Sequence, residues 1–182
     1  MRLPAKGDLW VFGYGSLMWR PGFEHRARES GLLYGYHRSL CMYSYRHRGT
    51  RDRPGLVLGL DRGGACRGMA YRIARSRAED VLDYLWEREM VSYTYLPRTV
   101  RVHLRDRTVA CRTFVADRDS TQYAAGLSPG AAAAIIRRAT GEGGHNRDYL
   151  ASTVSHLEEL GIPDGPLHRL LRIVAETSRH NR

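Results

Sequence analysis

The order of the sequence signals predicts an α+β protein built on a small closed β-barrel. Three observations carry this: strand-like segments crowd the first two thirds of the chain, one well-marked helix falls between them, and the last third reads as helical throughout. The chain has 182 residues, enough to bury a core without staples, and is read as one domain, 1–182, with a helical C-terminal part.

Asp8-Leu-Trp-Val-Phe-Gly13 reads as a short buried strand ending in glycine. Residues 32–45, rich in Tyr, Leu and Met, read as a long strand. Leu56–Leu60 and Gly68–Ile73 read as two strands joined by a turn at Asp61-Arg62-Gly63-Gly64. Arg98–Leu104 and Thr108–Ala116 form a hairpin across Arg105-Asp106-Arg107. Six strands suffice to close a small barrel. Ser76-Arg77-Ala78-Glu79 has the form of a capping box, with Ala78, Val81, Leu82, Leu85 and Trp86 recurring behind it at helical spacing. Ser128-Pro129 is an N-cap followed by proline and opens a helix over 130–140. Further helices are expected over about 146–160, ending at Gly161, and about 166–176.

Composition removes several function classes. No run of about 18 apolar residues exists, so no helical membrane span is expected. The first seven residues lack the apolar stretch of a signal peptide, which points to a soluble cytoplasmic protein. Cys41, Cys66 and Cys111 are sparse and odd in number; they form no disulfide framework and read as reduced, semi-buried thiols. The eight histidines offer no H-x-x-x-H pair, so no structural metal is expected. Net charge is +10, but Lys6 is the sole lysine and the arginines are dispersed, which argues against a specific nucleic-acid site.

Two features carry chemistry. Gly13-Tyr14-Gly15-Ser16-Leu17 follows the first strand. It lacks the third glycine of a dinucleotide fingerprint, since position 18 is Met18, and the flanking glycines of a nucleophile elbow, since positions 14 and 18 are Tyr14 and Met18. What remains is a tight turn: an ordinary strand end, or a nest of N–H groups for a carboxylate or oxyanion. The second feature is Glu89. At ~100° per residue it falls in the middle of the apolar stripe of the helix, whereas Glu87 faces the polar side. Burial and the C-terminal end of the helix dipole both raise a carboxyl pKa, which suits a general base. The alternative is a structural carboxylate paired with an arginine such as Arg88 or Arg98. Ser44, Arg48 and Thr50, and the loop Gly141-Glu142-Gly143-Gly144-His145-Asn146, are weaker candidates for substrate carboxylate contacts, equally readable as loop chemistry.

Together these residues resemble the ChaC family of glutathione-specific γ-glutamylcyclotransferases, in its bacterial branch. Trp10-Val11-Phe12-Gly13-Tyr14-Gly15-Ser16-Leu17-Met18-Trp19, with Pro21 and Phe23, is similar to the N-terminal signature. Also similar are Tyr45-Arg46-His47-Arg48-Gly49-Thr50 with 54–58, Gly68–Arg72, Tyr84-Leu85-Trp86-Glu87-Arg88-Glu89, 141–150 and 156–162, so the likeness runs over about 9–165. It implies a γ-glutamylcyclotransferase-like fold, a small mixed barrel with helices outside. It also implies that Val11, Phe12, Gly13, Tyr14, Gly15, Ser16 and Leu17 bind the γ-glutamyl group and that Glu89 is the catalytic acid/base. The implied reaction cleaves glutathione to 5-oxoproline and Cys-Gly by ring closure within the substrate, for which neither metal nor other cofactor is expected. Rival readings are a cyclotransferase for other γ-glutamyl amides and a non-catalytic binding or regulatory protein on the same fold. Met90-Val91-Ser92 departs from the Lys-Gly-Gly-like segment that follows this glutamate in eukaryotic members.

Overall fold

A computed structural model describes residues 7–90 and 94–176; Val91 and Ser92, in the segment that departs from the eukaryotic pattern, lie outside the described residues. Five strands close a barrel in the order β1-β3-β2-β4-β5, where β1 is Leu9–Gly13, β2 Ala27–Ser44, β3 Gly55–Ile73, β4 Tyr95–His103 and β5 Thr108–Ala116. The short β1 runs antiparallel to β3, from Leu9 opposite Ile73 to Gly13 opposite Met69. It runs parallel to β5, with Val11 opposite Arg112, and this parallel pair makes the barrel mixed. The hairpin β4–β5 keeps register from Tyr95 opposite Ala116 to His103 opposite Thr108.

The count of five corrects the sequence reading. Asp61–Gly64 is not a turn: the chain continues through it as one strand. Gly63 and Gly64 take φ of 99° and 68°, which lets the strand absorb a local irregularity that side-chain-bearing residues resist. Glycine next to glycine therefore marks a bend within β3 and not its end. β2 and β4 also begin earlier than expected, at Ala27 and Tyr95.

The chain divides into two compact units, one comprising residues 1–38 and 59–117, the other residues 39–58 and 118–182. In the first, helix α1 (Ala78–Glu89) lays Ala78, Val81, Leu82 and Leu85 on Leu9, Val11, Tyr71, Ile73 and Phe114. Burying a valine or leucine side chain of this face contributes about 1.5–3 kcal/mol. Ser76 is not its N-cap: a 3-10 turn, Arg75–Arg77, precedes the helix, and Arg77 at the cap position makes no side-chain cap. The chain tightens before the α-helix starts, which puts Ser76 a residue too early for the capping box. Trp86 also leaves the predicted apolar face, at 40% exposure. The buried stripe is narrower than the spacing implied.

In the second unit, helix α2 (Pro129–Arg138) starts as expected, with Ser128 Oγ accepting from the Ala131 N–H at 3.2 Å. It stops before Thr140, because Thr140–Gly141 (β6) pairs with Gly144–His145 (β7) as a two-residue hairpin where a flexible loop was expected. Helix α3 (Asn146–Glu159) ends before Gly161, whose φ is +64°, and α4 spans Gly165–Glu176. Asn146, fully buried, opens α3 and behaves as a strand partner: its Oδ1 accepts from the Leu56 N–H at 2.7 Å and its Nδ2 donates to the Leu56 carbonyl at 2.8 Å. One turn on, the Tyr149 hydroxyl accepts from the Leu58 N–H at 3.2 Å. The three cysteines are buried, deeper than the semi-buried setting expected. Burial pushes the Cys111 thiol up to about 12, which makes it a poor nucleophile at neutral pH.

Candidate active site

The chain leaves β1 at Gly13 and folds at once into a 3-10 turn, Ser16–Met18. A Cβ on Gly13 would lie 3.0 Å from the Leu17 Cβ, and one on Gly68, beside the start of the loop, would lie 2.3 Å from the Gly13 carbonyl oxygen. Close approach therefore demands glycine at position 68 and leaves only a tight fit for a Cβ at position 13. Val11, Phe12, Gly13, Tyr14, Gly15 and Leu17 are buried, while Ser16 is exposed. The Val11 side chain belongs to the core under α1. What most of this loop can offer a ligand is therefore backbone.

That backbone is held in one sense. The Phe12 carbonyl accepts from Thr113 Oγ1 at 2.9 Å, and the Tyr14 carbonyl accepts from Arg38 Nε. The buried Tyr71 hydroxyl lies 2.9 Å from the Leu17 carbonyl and 2.8 Å from that of Met18. Burial raises the Tyr71 pKa, so the hydroxyl keeps its proton and remains a donor. The Gly15 and Ser16 carbonyls accept from the Met18 and Arg20 N–H groups, each at 2.8 Å. Every carbonyl from 14 to 18 thus has a donor. The N–H groups of Gly15, Ser16 and Leu17 have no acceptor among the described residues. In a peptide plane C=O and N–H point oppositely, so pinning the Tyr14 carbonyl to Arg38 turns the Gly15 N–H the other way. The result is a set of amides suited to an anion or a developing oxyanion.

Glu89 ends α1, with its side chain 20% exposed. Desolvation pushes its carboxyl above the usual range; the Arg88 guanidinium, with Nε 3.4 Å from Glu89 Oε1, pulls part of that back. Of the two arginines considered as partners, Arg88 takes this place, while Arg98 donates to the Pro97 carbonyl. Arg88 also reaches the loop, donating from Nη2 to Ser16 Oγ at 2.9 Å. Glu89 and the loop are joined through one guanidinium.

Sequence reasoning missed the residues that hold the loop: Arg38, Tyr71, Thr113 and the linking role of Arg88. Arg38 carried a readable signal. It shares strand parity with Leu40 and Met42, both buried, and an arginine on such a face, here 5% exposed, asks for a reason. Tyr71 and Thr113 looked like ordinary strand residues.

The weaker candidates find internal partners. Ser44 Oγ accepts from the Arg48 N–H at 3.0 Å, and Thr50 Oγ1 from the Arg53 N–H at 3.1 Å. Arg48 donates to the Gly143 carbonyl, and its guanidinium lies 5.1 Å from the centre of the Tyr149 ring. Glu142 and Gly143 donate backbone N–H groups to the Arg46 and His47 carbonyls.

The mixed five-stranded barrel with its flanking helices has the γ-glutamylcyclotransferase-like fold. The crystal structure of a glutathione-specific γ-glutamyl cyclotransferase from yeast superposes with a TM-score of 0.84 over 94% of this chain and 97% of that one, at 23% identity. The chain belongs to the ChaC family, whose model, described as ChaC-like protein, matches residues 9–177. It is 38% identical to a glutathione-specific γ-glutamylcyclotransferase of Escherichia coli over 98% of this chain and 78% of the relative. It is 33% identical to the enzyme of that name from Schizosaccharomyces pombe, over 91% of each.

Proposed function

We propose that this protein is a γ-glutamylcyclotransferase that cleaves glutathione to 5-oxoproline and Cys-Gly, with Glu89 as the proton-transfer group and the Val11–Leu17 loop as the γ-glutamyl cradle. One observation carries the reading: a carboxylate with a raised pKa at the end of α1 is tied through Arg88 to a loop whose Gly15, Ser16 and Leu17 amides have no acceptor among the described residues. Family membership and the names of the relatives agree with it.

The reaction is intramolecular. Glu89 accepts a proton from the substrate's α-ammonium, and the freed amine attacks the γ-carbonyl carbon. A five-membered ring closes, and the C–N bond to the cysteinyl nitrogen breaks. The proton held by Glu89 goes to that leaving nitrogen, so one carboxylate serves both transfers; the second proton that the ring nitrogen must lose passes to the released amine, which leaves as its ammonium. Folding the substrate so that amine and carbonyl meet is a positioning effect. The loop amides face the negative charge, whether substrate carboxylate or oxyanion. A carboxylate with a raised pKa exchanges protons near neutrality more readily than an ordinary one. Three buried cysteines without disulfides suit a reducing compartment, and we place the activity in the cytoplasm with a small molecule as partner and no specific nucleic acid.

The test is purified protein with glutathione, reading 5-oxoproline and Cys-Gly, alongside N-acetylglutathione. Equimolar 5-oxoproline and Cys-Gly, with no turnover of the acetylated substrate, is expected. Release of glutamate, or cleavage of N-acetylglutathione at a comparable rate, means hydrolysis and ends the proposal. Faster turnover of γ-glutamyl-amino acids than of glutathione moves the specificity but keeps the chemistry.

A further inference from the structure

We infer that Arg88 is the positioning residue of this site, a single guanidinium that fixes Glu89 against the loop carrying the unused amides. The inference rests on the assignment of Glu89 as the proton-transfer group and deepens it.

Arg88 occupies the last turn of α1. Its three nitrogens go to different places. Nη2 donates to Ser16 Oγ at 2.9 Å. Nη1 donates to the Arg20 carbonyl and the Tyr84 hydroxyl, each at 2.8 Å. Nε lies 3.4 Å from Glu89 Oε1. One planar group therefore spans the 3-10 turn, the segment after it and the helix end. Arginine alone has this shape; lysine offers a point charge on a flexible stem.

The surroundings are built to this fit. A Cβ on Gly22 would lie 2.1 Å from the Tyr84 hydroxyl oxygen, so the segment after the loop presses against the ring that Arg88 contacts, and its φ of +76° is reserved for glycine. The Arg88 guanidinium lies 5.9 Å from the centre of the Tyr84 ring, one helical turn before it. Residues adjacent on a helix do not face each other. That explains why Glu89 meets the Nε edge, at a separation too long for a strong pair, while the Nη ends remain for the loop. A lone ion pair of this kind is worth little. The tie to Ser16 is the larger part of what Arg88 does.

The experiment is steady-state kinetics with glutathione, plus melting temperatures, for Arg88→Ala, Arg88→Lys, Ser16→Ala, the Arg88→Ala/Ser16→Ala double variant and Glu89→Gln. Arg88→Ala should lower kcat/KM by about 10- to 100-fold, mostly in kcat, the range set by losing hydrogen bonds from a charged donor. Arg88→Lys should recover little of this. The double variant should lose no more than Arg88→Ala alone, because both substitutions cut the same tie. Normal kinetics in Arg88→Ala, full recovery with lysine, or additive losses in the double variant each overturn the inference. If Arg88→Ala does not fold, Ser16→Ala decides: it removes only the far end of the tie, and kcat/KM must fall at an unchanged melting temperature. An active Glu89→Gln sinks the base assignment itself; an inactive Glu89→Gln beside a normal Arg88→Ala sinks only the role given to Arg88.

Discussion

Two glycine-bearing regions of this chain, the loop after β1 and the paired stretches 44–55 and 141–146, look alike as sequence and differ as structure. In the loop after β1, buried side chains take the carbonyls of Phe12, Tyr14, Leu17 and Met18, and the N–H groups of Gly15, Ser16 and Leu17 are left without acceptors among the described residues. In the stretches 44–55 and 141–146, the donors go inward. The Glu142 and Gly143 amides donate to Arg46 and His47, Ser44 and Thr50 accept from backbone, and the Asn146 amide completes the edge of β3 at Leu56. Glycine content says that backbone comes close to something. Which end of each peptide is already satisfied says whether a ligand has anything left to bind.

Tyr71→Phe should lower kcat/KM by up to about tenfold while the protein stays folded, because the Leu17 carbonyl loses its donor and the turn loses its aim. The Met18 carbonyl keeps Arg28 Nη2 at 3.0 Å, which limits the structural damage. Kinetics with glutathione checks this; an unchanged kcat/KM would mean that the amides do not need their carbonyls held. Asn146→Ala should do the reverse. It leaves the buried Leu56 N–H and carbonyl without their partner and should cost about 1–3 kcal/mol in denaturant melts, with kcat of the folded fraction near normal. If kcat collapses at unchanged stability, the second stretch belongs to the chemistry and the contrast fails.

A subtler test uses pH. Desolvation raises the Glu89 carboxyl above the ordinary 4.5, and Arg88 only partly offsets it. The reaction needs the carboxylate ionised to accept a proton, so kcat/KM should fall with falling pH already above the ordinary range. For stability the sign is opposite. A carboxyl whose pKa is raised on folding favours the folded state while it is protonated. That contribution is full below the unfolded pKa and is lost as pH rises through the folded one. Wild-type melting temperature should therefore drop across this window relative to a Glu89→Gln protein. Parallel pH–rate and pH–melting series decide it; an acidic limb at the pKa of an exposed glutamate would contradict a desolvated base.

The hairpin β4–β5, the cap at Ser128, the helix after Asn146 and the stop at Gly161 were legible because each rests on a local signal of a few residues. The bend at Gly63-Gly64 was not, since two glycines look the same in a turn and in a bulged strand. Glu89 stood out because a carboxylate on an apolar stripe is conspicuous in one dimension. The groups that aim the loop did not, because Thr113 reaches Phe12 across 101 residues and Tyr71 reaches Leu17 across 54. Hydrogen bonds of that span leave no periodic trace.

The central claim is that Glu89 moves the protons, and the direct measurement is kcat and melting temperature for Glu89→Gln beside Glu87→Gln. The amide keeps the size and one acceptor oxygen but cannot take a proton. The account predicts a loss of ~100- to 10,000-fold in kcat, toward the upper end because one residue serves two transfers. It predicts a melting temperature at or above wild type near neutral pH, since a partly buried carboxylate has been neutralised. Glu87, exposed on the same helix, should change neither property when replaced. A Glu89→Gln protein that melts far lower yet keeps near-normal kcat would make Glu89 a structural partner of Arg88 and contradict the account.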